Sequence, residues 1–295
     1  MSDYVIMTDS SCDLPQQTAD ELGIRVLPLA ITTQDDRVYR NYLDGREISF
    51  EDFYSRLRAG ERITTSAVNM GEFIEAMEPI VRDGKDILML AFSSGLSTTC
   101  NSAVLAAKEM EDKYPGRRVV VVDTLAASLG QGLLVYLTAK KASREGLSLD
   151  EAADFAENIK LKCIHWFTVA DLDQLKRGGR ISPTTAVVGN LLGIKPVLFV
   201  DNAGHLIPKF KVKGRQASLR KMAELMKEHF DHGSPDQAVF ISHGDCIDDV
   251  RYLTEQIRSE TGFEGDIVVN YVGPVIASHS GAGTVALFFV GDARE

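Results

Sequence analysis

The chain has 295 residues, 44% of them hydrophobic and 25% charged, with a formal net charge of −10. That is the balance of an ordinary globular protein, long for one core and comfortable for two domains. An acidic surface speaks against broad nucleic-acid binding, which needs a basic footprint, while leaving room for one local basic patch.

The segment 1–7 has no basic n-region and no long apolar h-region. Residues 4–7 read as a short buried strand, ending in Thr8-Asp9-Ser10-Ser11-Cys12-Asp13, rich in capping residues. A helix is expected over 14–22 and a second strand over 25–32. Ser49 opens an amphipathic stretch at 50–57, and 70–81 has helical spacing, with Phe73, Ile74, Met77 and Val81 on one face. Residues 86–92 are almost continuously apolar, as in a strand covered on both faces. An alanine-rich helix over 97–113, a strand over 118–122 and a long helix over 125–143 follow. Strand and helix alternate, so the first half is expected to be a doubly wound, mostly parallel sheet.

A polar segment at 148–151 opens another helix, and the domain boundary is placed at 150, giving domains 1–150 and 151–295. The second half starts with a strand at 163–170. Strands at 196–201 and 205–212 flank Asn202-Ala203-Gly204, a hairpin signal. A helix at 217–230, strands at 238–243, 266–271 and 285–290, and a helix at 247–257 complete an α/β unit with an antiparallel hairpin. The apolar run 285–290 is far too short to span a bilayer. The four cysteines, Cys12, Cys100, Cys163 and Cys246, form no CxxC pair and no zinc-finger spacing. Reduced thiols, a cytoplasmic location and no integral membrane association are expected.

Three polar clusters read as lying where strands give way to loops or helices: Thr64-Thr65-Ser66, Ser93-Ser94-Gly95-Leu96-Ser97 and Ser278-His279-Ser280-Gly281-Ala282-Gly283. Ligands of α/β sheets sit outside the carboxyl ends of the strands. Hydroxyls, one imidazole and glycine amides there suit an oxyanion such as a carboxylate. Gly281 to Ala286 matches a loose GxGxxA pattern, but it leads into a strand, which is the wrong context for a dinucleotide. No GxxxxGK[ST] loop occurs, which disfavours an ATP-dependent enzyme acting alone, although kinases without that loop exist. Ser93 reads as a cap or ligand donor before a nucleophile, because the GxSxG elbow is absent. His279 is the histidine in the Gly/Ser-rich segment and is expected to bind ligand; His243 is a weaker candidate, and His205, His229 and His232 are assigned nothing. No metal-ligand spacing stands out. Lys176, Arg177 and Arg180 cluster around two glycines, as a solvated loop or as a contact for an anion or acidic partner.

Taken together, these motifs resemble the DegV family. The match runs through Thr8-Asp9-Ser10-Ser11 with Asp13-Leu14, Thr65-Ser66, Ser93 to Ser97 with Ser102-Ala103, and Asp123-Thr124 with Ser128, Gly130 and Gly132. It continues through Leu175 to Ser182, Gly193 to Pro196, and Gly273-Pro274-Val275-Ile276 with His279 and Gly281. The motifs keep family order along essentially the whole chain. The resemblance implies a two-domain α/β protein with a tunnel near the domain interface that holds one long-chain fatty acid. It implies similarity to the fatty-acid-binding B subunit of bacterial fatty acid kinase, which presents the carboxylate to a separate ATP-binding kinase subunit. That subunit makes an acyl phosphate for phospholipid synthesis. On that basis Thr65, Ser93 and His279 are expected on the carboxylate, with Ser66, Ser94, Gly95 and Gly281 as further pocket residues. Arg177 and Arg180 match the basic loop near the pocket mouth. No cofactor, no metal and no independent activity are expected.

The chain departs from the usual family pattern at Ala67-Val68-Asn69, at Thr98-Thr99-Cys100-Asn101 and at Ala282, all of which leave the hydroxyls intact. Burying a long acyl tail at roughly 0.8 kcal/mol per methylene gives on the order of 12 kcal/mol before ordering costs. Two other readings remain. One is an acyl hydrolase with Ser93 as nucleophile and His279 as base. The other is a binder of a different small anionic ligand.

Overall fold

The computed structural model describes residues 4–182, 193–231 and 237–294. His232 and the first three residues of the N-terminal segment lie outside the described residues. Strand β1 (Tyr4–Asp9) runs into a tight turn at Ser10–Cys12 and then helix α1 (Gln16–Glu21). The stretch 25–32 is not one strand: β2 (Arg25–Leu27) and β3 (Ala30–Thr32) lie in different sheets. Pro28 has no amide for a ladder, and the next amide, that of Leu29, donates to Ser10 Oγ at 3.0 Å.

β3 pairs antiparallel with β4 (Val38–Arg40) and β5 (Thr64–Ser66) in a small sheet that sequence periodicity did not reveal. Three-residue strands are too short to show alternation. Helix α2 (Phe50–Arg58) is capped by Ser49, as expected. Helix α3 (Met70–Arg82) starts on an Asn69–Glu72 capping box and buries Phe73, Met77 and Val81.

β6 (Asp86–Ala91), α4 (Thr99–Lys113) and β7 (Val119–Asp123) complete a parallel sheet of order β2-β1-β6-β7. Its faces alternate residue by residue. Ile87 and Met89 join the core under α3 and α4, while Leu88 and Leu90 join the core that holds α5 (Leu129–Glu145) and α6 (Leu149–Ile159). This is the doubly wound arrangement expected of the first half.

The second sheet contains β8 (Cys163–Thr168), β9 (Ile194–Val200), β10 (Leu206–Lys213), β11 (Val239–His243), β12 (Ile267–Tyr271) and β13 (Val285–Val290). Its order is β10-β9-β8-β13-β11-β12, antiparallel except for the β11/β12 pair. The expected β9–β10 hairpin is present, with Gly204 at φ +78° in its turn. Helices α8 (Arg215–His229) and α9 (Ile247–Thr261) cover one face through Met222, Met226, Leu253 and Ile257. The other face, with Phe167, Ala286 and Phe288, packs toward α5. Helix α5 thus shares a core with both sheets, and its residues 129–135 are all buried. A helical stretch buried on every side is one placed between layers.

Two short helices replace expected loops. α7 (Asp173–Arg177) occupies the basic segment, and α10 (Pro274–Ser280) carries the Ser278-His279-Ser280 cluster. Pro274 sits at the start of α10, where a missing amide costs nothing. The cluster at 64–66 is likewise a strand rather than the segment after one.

Candidate functional site

The segments after β2, β6 and β7 meet β5, α7, α10 and the second sheet around a cavity of about 480 Å³. That volume lies within the range of roughly 300–1,000 Å³ typical of small-molecule sites. Much of the wall is apolar, including Leu29, Phe92, Phe167, Val200, Leu206 and Phe288.

Two of the predicted carboxylate residues come together on this wall. Thr65, held in β5 by its pairing with Ile31, places Oγ1 2.9 Å from Nε2 of His279 on α10. Nδ1 of His279 has no hydrogen-bond partner among the described residues. It packs against Gly178, where a Cβ would stand 2.2 Å away. Burial, and secondly the charge of Arg180, push the imidazole down to about 4, so it is neutral at neutral pH.

Arg180 also lines the cavity. Its guanidinium donates to the carbonyls of Gly178 and, at 3.1 Å, Leu96. Among the described residues it has no carboxylate partner, and burial lowers its pKa. A half-buried cation beside a neutral imidazole and a hydroxyl has the electrostatics of an anion site. The sequence reading placed Arg180 at the mouth with Arg177. The structure separates the two: Arg177 is exposed and shares a surface depression with Asp171, Asp173 and Lys176.

Ser93 is buried and is absent from the cavity wall. Its hydroxyl donates to the Gly204 carbonyl at 3.0 Å and accepts from the Gly95 amide at 3.2 Å. No hydrogen bond joins it to His279. Ser66 and Ser94 line the cavity, but Gly95 and Gly281 serve as framework. A Cβ on Gly95 would lie 2.7 Å from the Ala203 carbonyl, so only glycine lets the hairpin tip rest there. Gly281 ends α10 at φ +88°. His243 is buried beneath Tyr271, their ring centroids 4.5 Å apart.

Sequence reasoning missed a second polar wall. Ser128 Oγ donates to Asp13 Oδ2 at 2.6 Å and lies 2.9 Å from Ser242 Oγ. Ser128 and Ser242 both line the cavity. Burial pushes the Asp13 carboxyl up to about 8, against the hydrogen bonds from Ser128 and the Gly273 amide. The three residues are far apart in the chain; Asp13 reads as part of a capping-rich segment, and Ser128 falls inside the helix expected over 125–143. Among the described residues no cluster of His, Cys, Asp and Glu could hold a metal ion, and no helix is long and apolar enough to cross a membrane.

The family model described as "Uncharacterised protein, DegV family" matches residues 3–292. The chain belongs to the DegV family. A DegV domain-containing protein of Clostridium perfringens is 45% identical, with 100% of both chains covered. Among solved DegV structures, a Thermus thermophilus protein described by its fatty acid binding is 32% identical, with a TM-score of 0.86 over 98% of this chain and 99% of that one. A Thermotoga maritima protein described as revealing a fatty acid binding function is 28% identical, with a TM-score of 0.84 over 99% of this chain and 100% of that one. DegV proteins of solved structure therefore include fatty-acid binders with this fold.

Proposed function

We propose that this protein holds one long-chain fatty acid in the cavity and presents its carboxylate to a separate ATP-binding kinase subunit in the cytoplasm. The observation that carries this reading is the Thr65–His279–Arg180 group on an apolar wall: a cation with no carboxylate partner among the described residues, a neutral imidazole and a hydroxyl. The acyl tail supplies affinity through burial, and the polar group fixes the head. Ser93 enters the set by exchanging the Gly204 carbonyl for the carboxylate, a charged and therefore stronger acceptor. Relatives of the same fold that bind fatty acids support the ligand class. The chain has no GxxxxGK[ST] loop, so the phosphoryl donor is assigned to the partner, which would form the acyl phosphate used in phospholipid synthesis.

The test is mass spectrometry of an organic extract of the purified protein, with calorimetric titration of the delipidated protein by C14–C18 acids. A stoichiometric fatty acid and tight binding are expected. Arg180→Gln and Thr65→Ala should each weaken binding by about 1.5–3 kcal/mol, the usual worth of a hydrogen bond to a charged group. No lipid in the extract and no binding of added acids would refute the carrier reading. Turnover of an acyl ester, abolished by Ser93→Ala, would favour a hydrolase instead.

A further inference from the structure

The cavity has a definite far end on the second sheet. Thr284, just before β13, and Ala286 and Phe288 on it line the cavity; Val290, next on the same face, does not. On β8, Phe167 and His165 line it and Cys163 does not. Phe288 pairs with His165, their ring centroids 5.2 Å apart, and Val290 pairs with Cys163. The Phe288–His165 row therefore closes the cavity. Thr284 is tied to the carbonyls of Ser280 and Gly281 at the end of α10, beside His279. Four residues of extended chain put the closing row about 14 Å beyond Thr284.

The His165 ring is held back in that row. Its Nδ1 donates to the Cys163 carbonyl at 2.8 Å, which draws the ring away from Phe167 and the rest of the cavity. Burial, and secondly the charge of Arg294, hold its pKa well below the ordinary histidine range, so the ring is neutral and Nε2 carries a lone pair. That nitrogen has no partner among the described residues and rests against α5 at Gly130. A Cβ on Gly130 would stand 2.0 Å from Nε2 and 2.4 Å from Cδ2 of His165. The backbone of Gly130 is helical, without the positive φ that calls for glycine, so the residue supplies room rather than a turn. Behind the ring, beside Arg294, the free space is about 10 Å³, no more than a water needs. The open space next to the ring is the cavity.

We infer that Gly130 and His165 set the depth of the cavity, and with it the length of acyl chain that the protein accepts. This rests on the fatty-acid reading of the same cavity. The experiment titrates delipidated protein with straight saturated acids from C10 to C20. Affinity should rise about fourfold with each added methylene until the chain reaches the His165 row, and stop rising there. His165→Ala should move that break to acids about two carbons longer, since removing the ring leaves room for further methylenes. Gly130→Ala should drive the ring into the cavity and move the break to shorter acids. With the ring gone, Gly130→Ala has nothing to displace, so the double variant should break at the same length as His165→Ala. These last two variants decide the outcome even where Gly130→Ala alone does not fold. A break that His165→Ala leaves in place overturns this inference alone, as does a double variant that breaks at a shorter length than His165→Ala. Failure of every acid to bind the parent removes the fatty-acid reading with it.

Discussion

At the scale of single residues, His279 shows how the surroundings set a group's chemistry. Its folded value of about 4 lies below the ordinary histidine range, so its share of stability is present above pH 6.5 and is lost as pH falls toward 4. Between pH 6 and 8 it stays neutral, and fatty-acid affinity should show no step near pH 6.5 that His279→Gln removes. Calorimetry across that range checks this. Gly178 has a different duty from the one its sequence context suggests. It gives the His279 ring room, and Gly179 at φ +71° follows the end of α7. Gly178→Ala should displace the imidazole, cost about 1–3 kcal/mol of stability as overpacking does, and weaken binding. Thermal unfolding and titration of that variant give both numbers. The identities of Thr65 and His279 were legible in their motifs. Their contact was not, because 214 residues separate them.

At the scale of elements, the long ones were readable and the short ones were not. β6 and α3 announce themselves by a continuous apolar run and by helical spacing. β3, β4 and β5 have three residues each, and α7 and α10 have five and seven, too few for a period to emerge. The site is built largely from these short pieces, so its shape was the least legible part. The β9–β10 turn is another such piece, pinned by Ser93 to the segment after β6. Ser93→Ala should cost about 0.5–1.5 kcal/mol of stability and raise amide exchange in the hairpin turn, in addition to any loss of affinity. Unchanged exchange at 201–205 would show that this hydroxyl does not hold the turn.

For the whole molecule, buried ionisable groups tie folding to pH. Asp13 keeps its proton to about pH 8 when folded and to about pH 4 when unfolded, so the folded state holds the extra proton between those values. Its contribution to stability is therefore greatest below pH 4 and falls as pH rises through that window, at up to about 1.4 kcal/mol per pH unit. Asp13→Asn should flatten that slope in denaturant titrations at stepped pH. Partner docking also belongs to this scale. Because Arg180 lines the cavity, a charge reversal there would confuse docking with head-group loss; Lys176 and Arg177 are exposed. Reversing both should slow acyl phosphate formation in a reconstituted kinase assay while leaving bound lipid unchanged. By itself the sequence determined the class of the fold, the two α/β sheets, the hairpin and the ordered polar motifs, because periodicity, caps and turn residues are local signals. Only the tertiary structure decided that Arg180 faces the cavity and Ser93 the hairpin, and that Asp13, Ser128 and Ser242 meet at all. Those outcomes depend on which surfaces the layers around α5 bring together, and no local propensity encodes the packing of segments more than a hundred residues apart.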